Sequence, residues 1–408
     1  PGGADRPGPV VGACHEGADG CGGGDDRAPC LQRRQSGARP QFANAACVGD
    51  RSGPADRGES SDIRRMNPDY ARFDALKAQD RRDLFEAAAV RLGTTAQAIE
   101  KDFWVCRVID AMFKGLPAQP KLFFKGGTSL SKGYGLIRRF SEDIDIVLSR
   151  SGLRVRGDDD PFAPWLSATK RKEGFKKLIE KCGAHVTVKM RERLAALLPM
   201  CAVETDADDP DGASLQVKYP SILAADPYLR PFVKIECGAR GALEPIQKRA
   251  IAPYVQDLLG MGMDLTTPSV TLIAARRTFW EKALILHGVH CGFRDQGKRP
   301  EDRNPISRHY YDVAMMAGQA EGVKAVRDMA LLDDVRQHKL LAFRRSWEKL
   351  EEARPGAIRL TPQPEIQHDL ARDYDRMSGM MFGEAPTFER VLTEIAKLEE
   401  VVNRRSAR

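Results

Sequence analysis

The chain has 408 residues and a net charge of +7, and 42% of its residues are hydrophobic and 30% are charged. This composition is ordinary for a soluble globular protein, and the length is enough for two domains. No apolar run approaches the roughly 20 residues that cross a membrane, and the N-terminal region lacks a signal-peptide core, so we expect a cytoplasmic protein without a membrane partner. The nine cysteines include no C-x-x-C pair, which argues against a zinc site.

Residues 1–65 are rich in Gly, Pro, Asp and Arg and have few apolar residues. Such a segment cannot bury enough apolar surface to fold by itself. We expect a disordered extension that is dispensable for activity. A first domain is expected at residues 66–255 and a helical domain at residues 256–408.

The first predicted elements are two amphipathic helices within residues 83–114, followed by a short apolar strand at residues 121–124. This strand runs into Gly126-Gly127, and Thr128 opens a segment that is typical of a short helix. Paired glycines between a strand and a helix let backbone N–H groups approach a phosphate without hindrance from a Cβ atom. We therefore predict a nucleotide-binding turn made by Gly126, Gly127, Thr128, Ser129 and Lys132.

The next apolar run, residues 143–148 (DIDIVL), is rich in β-branched residues and predicts a strand. Because side chains alternate between the faces of a strand, Asp143 and Asp145 share one face and Ile144 and Ile146 point into the core. Two carboxylates on one face repel each other, and a divalent cation removes that repulsion. Oxygen ligands of this kind favour Mg²⁺ or Mn²⁺.

A polymerase-type site also needs a third carboxylate on a neighbouring strand. Glu236, in the predicted strand at residues 231–237, is the candidate for that metal ligand, although an exposed edge-strand glutamate gives the same pattern. Residues 185–189 (HVTVK) and 214–218 (SLQVK) are two further predicted strands. Between the aspartates and these strands lies a basic stretch, residues 170–181, which is consistent with an RNA-binding surface and equally with a solvated helix face.

After residue 255 the pattern is helical, and the predicted helices cover residues 270–287, 323–343, 366–381 and 388–403. Lys282 lies off the apolar stripe of the first of them. Arg308, His309 and Asp312 fall within one helical turn, a spacing that fits a salt bridge as well as a site. The fold expected from all these elements is α/β, with a small mixed sheet and helices around it.

These motifs resemble the AbiEii/AbiGii toxin family of nucleotidyltransferases, in the polymerase-β-like superfamily. The resemblance rests on the following segments: FKGGTSLSK (124–132), RFSEDID (139–145), VKIE (233–236), FWEKALILH (279–287) and SRHYYD (307–312). It implies a polymerase-β-like core followed by a helical C-terminal domain. It also implies that Gly127 and Thr128 hold a triphosphate, that Asp143 and Asp145 hold metal, and that Lys282 and Asp312 complete the site.

The predicted function is metal-dependent transfer of a nucleoside monophosphate from a nucleoside triphosphate to an acceptor such as the 3′ end of transfer RNA. The resemblance further implies a toxin with an antitoxin encoded by a neighbouring gene. Two alternatives stay open at this point. One is a catalytically silent protein that binds nucleotides or RNA, and the other is a glycosyltransferase that uses the Asp-x-Asp pair.

Overall fold

The computed structural model describes residues 65–224, 229–260, 262–301 and 305–404. Residues 1–64, on which most of the expected N-terminal extension falls, lie outside this range. The α-helices in the described ranges are α1 (Asp69–Asp74), α2 (Ala78–Leu92), α3 (Ala96–Asp110), α4 (Gly126–Thr128), α5 (Ala168–Ala184), α6 (Arg191–Leu197), α7 (Ala275–Gln296), α8 (Ser307–Ala317), α9 (Ala320–Arg327), α10 (Met329–Ala342), α11 (Pro364–Met377) and α12 (Phe388–Asn403).

The strands in the described ranges form one mixed sheet, which confirms the predicted α/β fold class. They are β1 (Leu122–Lys125), β2 (Asp143–Leu148), β3 (Ala202–Thr205), β4 (Ser214–Lys218), β5 (Phe232–Gly238), β6 (Ile246–Ile251) and β7 (Thr267–Ile273). Their order across the sheet is β3-β4-β5-β2-β1-β7-β6, in which β2 is parallel to β5 and β1 is parallel to β7. β7 follows the expected domain boundary at residue 255, and it pairs with β1 and β6.

Two large hydrophobic cores are present among the described residues. The first packs α2 and α3 against the sheet face that carries Phe124, Ile144 and Ile146. The second gathers the C-terminal helices around α7, with Phe279, Trp280 and their neighbours. The carboxylates of β2 lie on the opposite sheet face from Ile144, so they avoid the first core.

One predicted strand is wrong. Residues 185–189 continue α5 as a π-helical segment, His185–Met190, instead of forming a strand. The buried side chains there are Val186 and Met190, which are four residues apart and therefore share a helical face. The Thr187 hydroxyl donates a hydrogen bond to the Gly183 carbonyl oxygen, another contact between residues four apart.

The helix predicted at residues 323–343 is divided into α9 and α10. Asp328 lies between them, and its carboxylate accepts a hydrogen bond of 3.0 Å from the Leu331 backbone N–H, which caps α10. No helix among the described residues combines the length and apolar character that a membrane-spanning helix requires.

Candidate active site

The glycine turn after β1 lies directly against two charged side chains. Gly126 has φ of +79°, in the region that favours glycine. A Cβ atom on Gly126 would lie 1.8 Å from Oδ2 of Asp145, and one on Gly127 would lie 2.7 Å from Nη2 of Arg139. Both glycines are therefore required for the backbone to approach a carboxylate and a guanidinium this closely.

The two aspartates of β2 occupy the face that the alternation predicts. Ile144 and Ile146 are buried in the first core, whereas Asp143 and Asp145 are partly exposed on the other face. This confirms the expected orientation of the pair. β2 holds them in place because its backbone pairs with β1 on one side and with β5 on the other.

Strand register extends this pair into a row of charged side chains. Lys125 of β1 lies opposite Asp145, and Asp145 lies opposite Glu236 of β5. Directly paired residues of neighbouring strands share a face, so the three side chains are adjacent. Asp143 lies on the same face of β2. We call these four charged residues, three carboxylates and one lysine, the carboxylate row: Lys125, Asp143, Asp145 and Glu236. The structure thus confirms that Glu236 lies on a strand next to β2.

Burial and neighbouring carboxylates raise the pKa values of the two aspartates in the carboxylate row. Burial, Glu142, Glu236 and Asp145 together raise the pKa of Asp143 to about 6. Burial also raises the pKa of Asp145, with Glu236 adding to the effect and Lys125 opposing it. Both shifts mean that the folded protein disfavours the ionised form of these groups.

Asp143→Asn is expected to raise the stability of the metal-free protein. The folded pKa of Asp143 lies above its usual value, so ionisation destabilises the fold as the pH rises from the usual value through about 6. The gain from Asn should therefore be complete above that window and absent below it, and should reach at most ~3 kcal/mol. Thermal unfolding in EDTA at about pH 8 and about pH 4 measures it. An equal gain at both pH values would contradict this account.

The donor atoms of the row suit a hard divalent cation. Asp143 and Asp145 supply carboxylate oxygens, whereas Glu236 is held 2.8 Å from Nζ of Lys234, which also contacts Asp206 at 3.2 Å. Among the described residues, no three His, Cys, Asp or Glu side chains form a ready metal cluster. The two aspartates therefore fit an open Mg²⁺ site, in which substrate oxygens and water complete the coordination. Glu236 would join it after leaving Lys234.

Two buried cations lie at the same cavity as the carboxylate row: Lys282 on α7, and Arg139 in the segment before β2. Lys282 Nζ lies 2.9 Å from Oδ2 of Asp312 and 3.3 Å from Nδ1 of His309. Arg139 donates two hydrogen bonds to the same Asp312 carboxylate, at 2.7 and 2.8 Å. Asp312 is fully buried, so it binds both cations without contacting solvent.

Burial and neighbouring charges shift the pKa values of Asp312, Lys282 and His309. Although burial opposes it, Arg139 and Lys282 hold the pKa of Asp312 well below its usual range. Burial lowers the pKa of Lys282, with Arg139 and Arg308 adding to the effect. Burial, Lys282 and Arg308 lower the pKa of His309 far below its usual value, so this imidazole is neutral. The single negative charge of Asp312 therefore neutralises only one of the two positive charges that it binds.

A cavity of about 230 Å³ separates the two groups. Its charged lining is balanced, with four basic and four acidic side chains: Lys125, Arg139, Lys282, Arg308, Asp143, Asp145, Glu236 and Glu281. In the described part of the chain, Nε of Arg308 and Oγ1 of Thr278 are buried without a hydrogen-bond partner. Both residues line the cavity.

Two other residues of the glycine turn use their hydroxyl groups to fix the backbone. Thr128 Oγ1 donates to the carbonyl oxygens of Ser141 and Asp143, at 3.2 and 2.5 Å. Ser129 Oγ donates to the Gly126 carbonyl oxygen at 2.9 Å. Neither residue is part of the cavity lining, whereas Gly126 and Gly127 are. In this structure the two hydroxyls hold the turn and the start of β2 in position.

Lys132 lies outside the cavity lining. Its Nζ is buried, lies 2.8 Å from Oδ1 of Asp102 and sits 3.3 Å from the centre of the Tyr254 ring. The structure thus brings together Gly126, Gly127, Asp143, Asp145, Glu236 and Lys282, with Asp312 directly behind them. Of the residues predicted for the site, Thr128, Ser129 and Lys132 are beside it and not in it.

Four further residues of the site were not predicted as functional residues: Lys125, Arg139, Arg308 and His309. Lys125 comes directly before Gly126. The alternation of side chains along β1 could have indicated which face of the sheet it lies on. Arg308 and His309 belong to the polar cluster that the sequence left open. Arg139 is bonded to a residue 173 positions later in the chain, and no local pattern indicates such a contact.

A family model and a solved structure show what this chain is similar to. A model of the family described as nucleotidyl transferase AbiEii toxin, type IV TA system, matches residues 108–394. Among solved structures, the chain is similar to MenT4, nucleotidyltransferase toxin Rv2826c from Mycobacterium tuberculosis H37Rv, with 17% identity, a TM-score of 0.35, and coverage of 79% of this chain and 98% of that chain. No curated protein matches the chain. The family match spans well over half of the sequence, and the chain therefore belongs to the AbiEii nucleotidyltransferase toxin family of type IV toxin–antitoxin systems.

Proposed function

We propose that this protein transfers a nucleoside monophosphate from a nucleoside triphosphate to the 3′ end of an RNA, most specifically transfer RNA, with Mg²⁺ or Mn²⁺ as cofactor. One observation carries the proposal. The carboxylate row on the sheet faces the cations of α7 and α8 across the cavity, and the Gly126-Gly127 turn lines the same cavity. A site for a metal–triphosphate complex needs both signs of charge in this arrangement.

The cations on the helices are suited to hold the triphosphate. Lys282 and Arg308 line the cavity, and Arg308 has an unused buried N–H group among the described residues. An ammonium group only donates hydrogen bonds, so Nδ1 of His309 accepts from Lys282 and its Nε2 carries the proton. His309 can then donate that N–H to a phosphate oxygen. The neutral state of His309 avoids a third repelling cation beside Lys282 and Arg308.

The carboxylates serve the reacting centre. Asp143 and Asp145 would hold the divalent cation, which when bound neutralises the triphosphate and polarises the α-phosphate. Glu236, whose side chain is 44% exposed, would orient the acceptor hydroxyl and take its proton. A new bond joins the acceptor oxygen to the α-phosphorus, and the bond from that phosphorus to the bridging oxygen breaks. Pyrophosphate leaves with the bridging oxygen.

Asp312 has a positioning role in this proposal. It contacts Arg139 and Lys282 and is fully buried, so it does not touch the substrate. By fixing Lys282 it sets the position of the ammonium group that faces the phosphates. The guanidinium of Arg139 lies against Gly127 and so supports the glycine turn.

The family supplies the biological setting. Membership in a type IV toxin–antitoxin family implies an antitoxin partner. We place the antitoxin gene beside this one, the protein in the cytoplasm, and its action in defence against phage by abortive infection.

The experiment that tests the proposed function is a donor and acceptor screen. The purified full chain is incubated with total transfer RNA, Mg²⁺ and each α-labelled nucleoside triphosphate in turn, with and without EDTA. We expect label in RNA with one or more donors, and none with EDTA. Binding of RNA without labelling under any condition would favour the silent binding protein. Hydrolysis of sugar nucleotides would favour the glycosyltransferase.

Gly126→Ala is expected to lower kcat/KM for the transfer roughly 100-fold, because the new methyl group must displace the Asp145 carboxylate by an ångström or more. The matched control is Gly297→Ala, since Gly297 also has a positive φ, +62°, but a Cβ atom there would lie in open space, more than 4 Å from the residues around it. Both variants therefore carry the same kind of backbone strain. Equal losses of activity in the two would contradict the role of the Gly126–Asp145 contact.

A further inference from the structure

A second cavity, of about 220 Å³, adjoins the carboxylate row on the side of β5. It shares Lys125, Asp145 and Glu236 with the active-site cavity and reaches Arg240 and Phe343. β1 and β5 flank β2 on opposite sides, so the glycine turn and Glu236 lie on opposite flanks of the aspartates. If the triphosphate occupies the flank of the turn, the second cavity is on the side from which an acceptor reaches Glu236.

A series of three neighbouring rings with an arginine at each end continues from this cavity. The Arg240 guanidinium lies 4.9 Å from the centre of the Phe343 ring, whose residue is 38% exposed. The Phe343 ring is 6.3 Å from that of His338, which stacks on Phe162 at 5.0 Å with an interplanar angle of 8°. Arg150 covers Phe162 at 4.2 Å. We call these five residues the stacking series.

The stacking series is held by its own hydrogen bonds and ion pairs. His338 donates from Nε2 to the Arg240 carbonyl oxygen at 2.9 Å. The Arg240 guanidinium also lies 3.2 Å from Asp211, and Arg150 lies 3.2 Å from Asp160. The rings are therefore pre-positioned, and Phe343 is partly exposed with the Arg240 guanidinium over its ring. Such a pair is the kind of platform on which an unpaired base stacks.

The helix that lines the same cavity is strongly basic. α5 contributes Leu178, Ile179 and Cys182 to the lining. Its outer surface exposes five lysines: Lys170, Lys172, Lys176, Lys177 and Lys181. At 100° per residue, Lys172 and Lys176 fall within about 60° of Ile179 around the helix, so they lie on the same side of α5 as this lining residue. Lysines beside an aromatic platform match the phosphates and bases of a nucleic acid strand.

We propose that this surface binds the single-stranded 3′ end of the RNA acceptor. The terminal base stacks on Phe343 beside Arg240, the lysines of α5 contact the preceding phosphates, and the 3′ hydroxyl reaches Glu236. This inference rests on the proposed nucleotidyl transfer and adds the acceptor surface to it. A single strand fits better than a duplex, because a base inside a duplex is stacked between its neighbours and offers no free face to an aromatic ring.

The test measures RNA binding by the full chain without a nucleoside triphosphate. The probes are a fluorescent RNA stem–loop with a short single-stranded 3′ tail and the same stem–loop with a blunt end. We expect Phe343→Ala to weaken binding of the tailed RNA about tenfold and to leave the blunt RNA unchanged. Phe343→Tyr keeps an aromatic face and should bind like the wild type. Val90→Ala, at a residue that is 85% exposed, is the control for loss of a surface apolar group.

Unchanged binding of the tailed RNA by Phe343→Ala would overturn the inference. So would a wild-type protein that binds neither RNA, since the acceptor would then be of another class, such as a protein. The transfer reaction separates this result from the proposed function. Labelling of RNA with the same KM for RNA in wild type and Phe343→Ala rejects the surface but keeps the transferase. The expected binding pattern without any labelling supports the surface and rejects the transfer.

Discussion

Asp145→Asn is expected to abolish nucleotidyl transfer while leaving the fold intact. Asp145 lies at the centre of the carboxylate row, with Lys125 on one neighbouring strand and Glu236 on the other. Its carboxylate also lies against the glycine turn that lines the cavity. Removing one charged ligand of a catalytic divalent cation costs several kcal/mol of transition-state stabilisation, so we expect a rate lower by about 10³-fold or more.

The measurement is the rate of incorporation of α-label into RNA at saturating Mg²⁺. Asp257→Asn makes the same chemical change at a side chain that is 68% exposed, and it should keep the wild-type rate. Asn at position 145 also removes a carboxylate whose pKa burial raises, so the thermal stability of the variant in EDTA should not fall. An Asp145→Asn protein with more than a tenth of the wild-type rate would show that this residue does not hold the metal.

Asp312→Ala is expected to cause the largest loss of stability. Asp312 is 0% exposed and accepts hydrogen bonds from Arg139 at 2.7 and 2.8 Å, while Lys282 lies 2.9 Å away. Without the carboxylate, two buried cations would be left together and uncompensated. Removing one partner of a buried ion pair typically costs about 3–5 kcal/mol.

Urea unfolding of the purified variants measures this loss. The control is Asp257→Ala, which removes a 3.2 Å contact with Arg91 between side chains that are 68% and 56% exposed. A surface ion pair of this kind contributes about 1 kcal/mol or less. If Asp312→Ala were no more destabilising than Asp257→Ala, the carboxylate would not be what holds Arg139 and Lys282 in the fold.

The orientation of the Asp143 and Asp145 carboxylates could be predicted from the sequence because a local rule governs it. Alternation along residues 143–148 placed Ile144 and Ile146 in the core and the aspartates on the other face, and the structure confirms this. The same rule identified Glu236 on a neighbouring strand. Helix α12 was predicted with its observed ends, since its apolar stripe is regular and Thr387 caps it.

Local rules fail where a long-range contact decides the outcome. The apolar and polar residues of 185–189 alternate as is typical of a strand. The segment nevertheless packs as a helix because Val186 and Met190 are buried together. Lys132 and Arg139 are close in sequence and both basic. Lys132 pairs with Asp102 and is not part of the cavity lining, whereas Arg139 lines the cavity and pairs with Asp312. Nothing near either residue in the sequence indicates its partner.

In the reaction that we propose, the protein transfers the α-phosphate, together with its nucleoside, to an RNA. The most direct measurement compares parallel reactions that contain the same nucleoside triphosphate labelled at the α- or the γ-phosphate, with transfer RNA and Mg²⁺. We expect that α-label enters RNA, that γ-label appears only in pyrophosphate, and that Asp145→Asn gives neither product. Label from the γ-position in RNA would instead show phosphoryl transfer and would contradict the account.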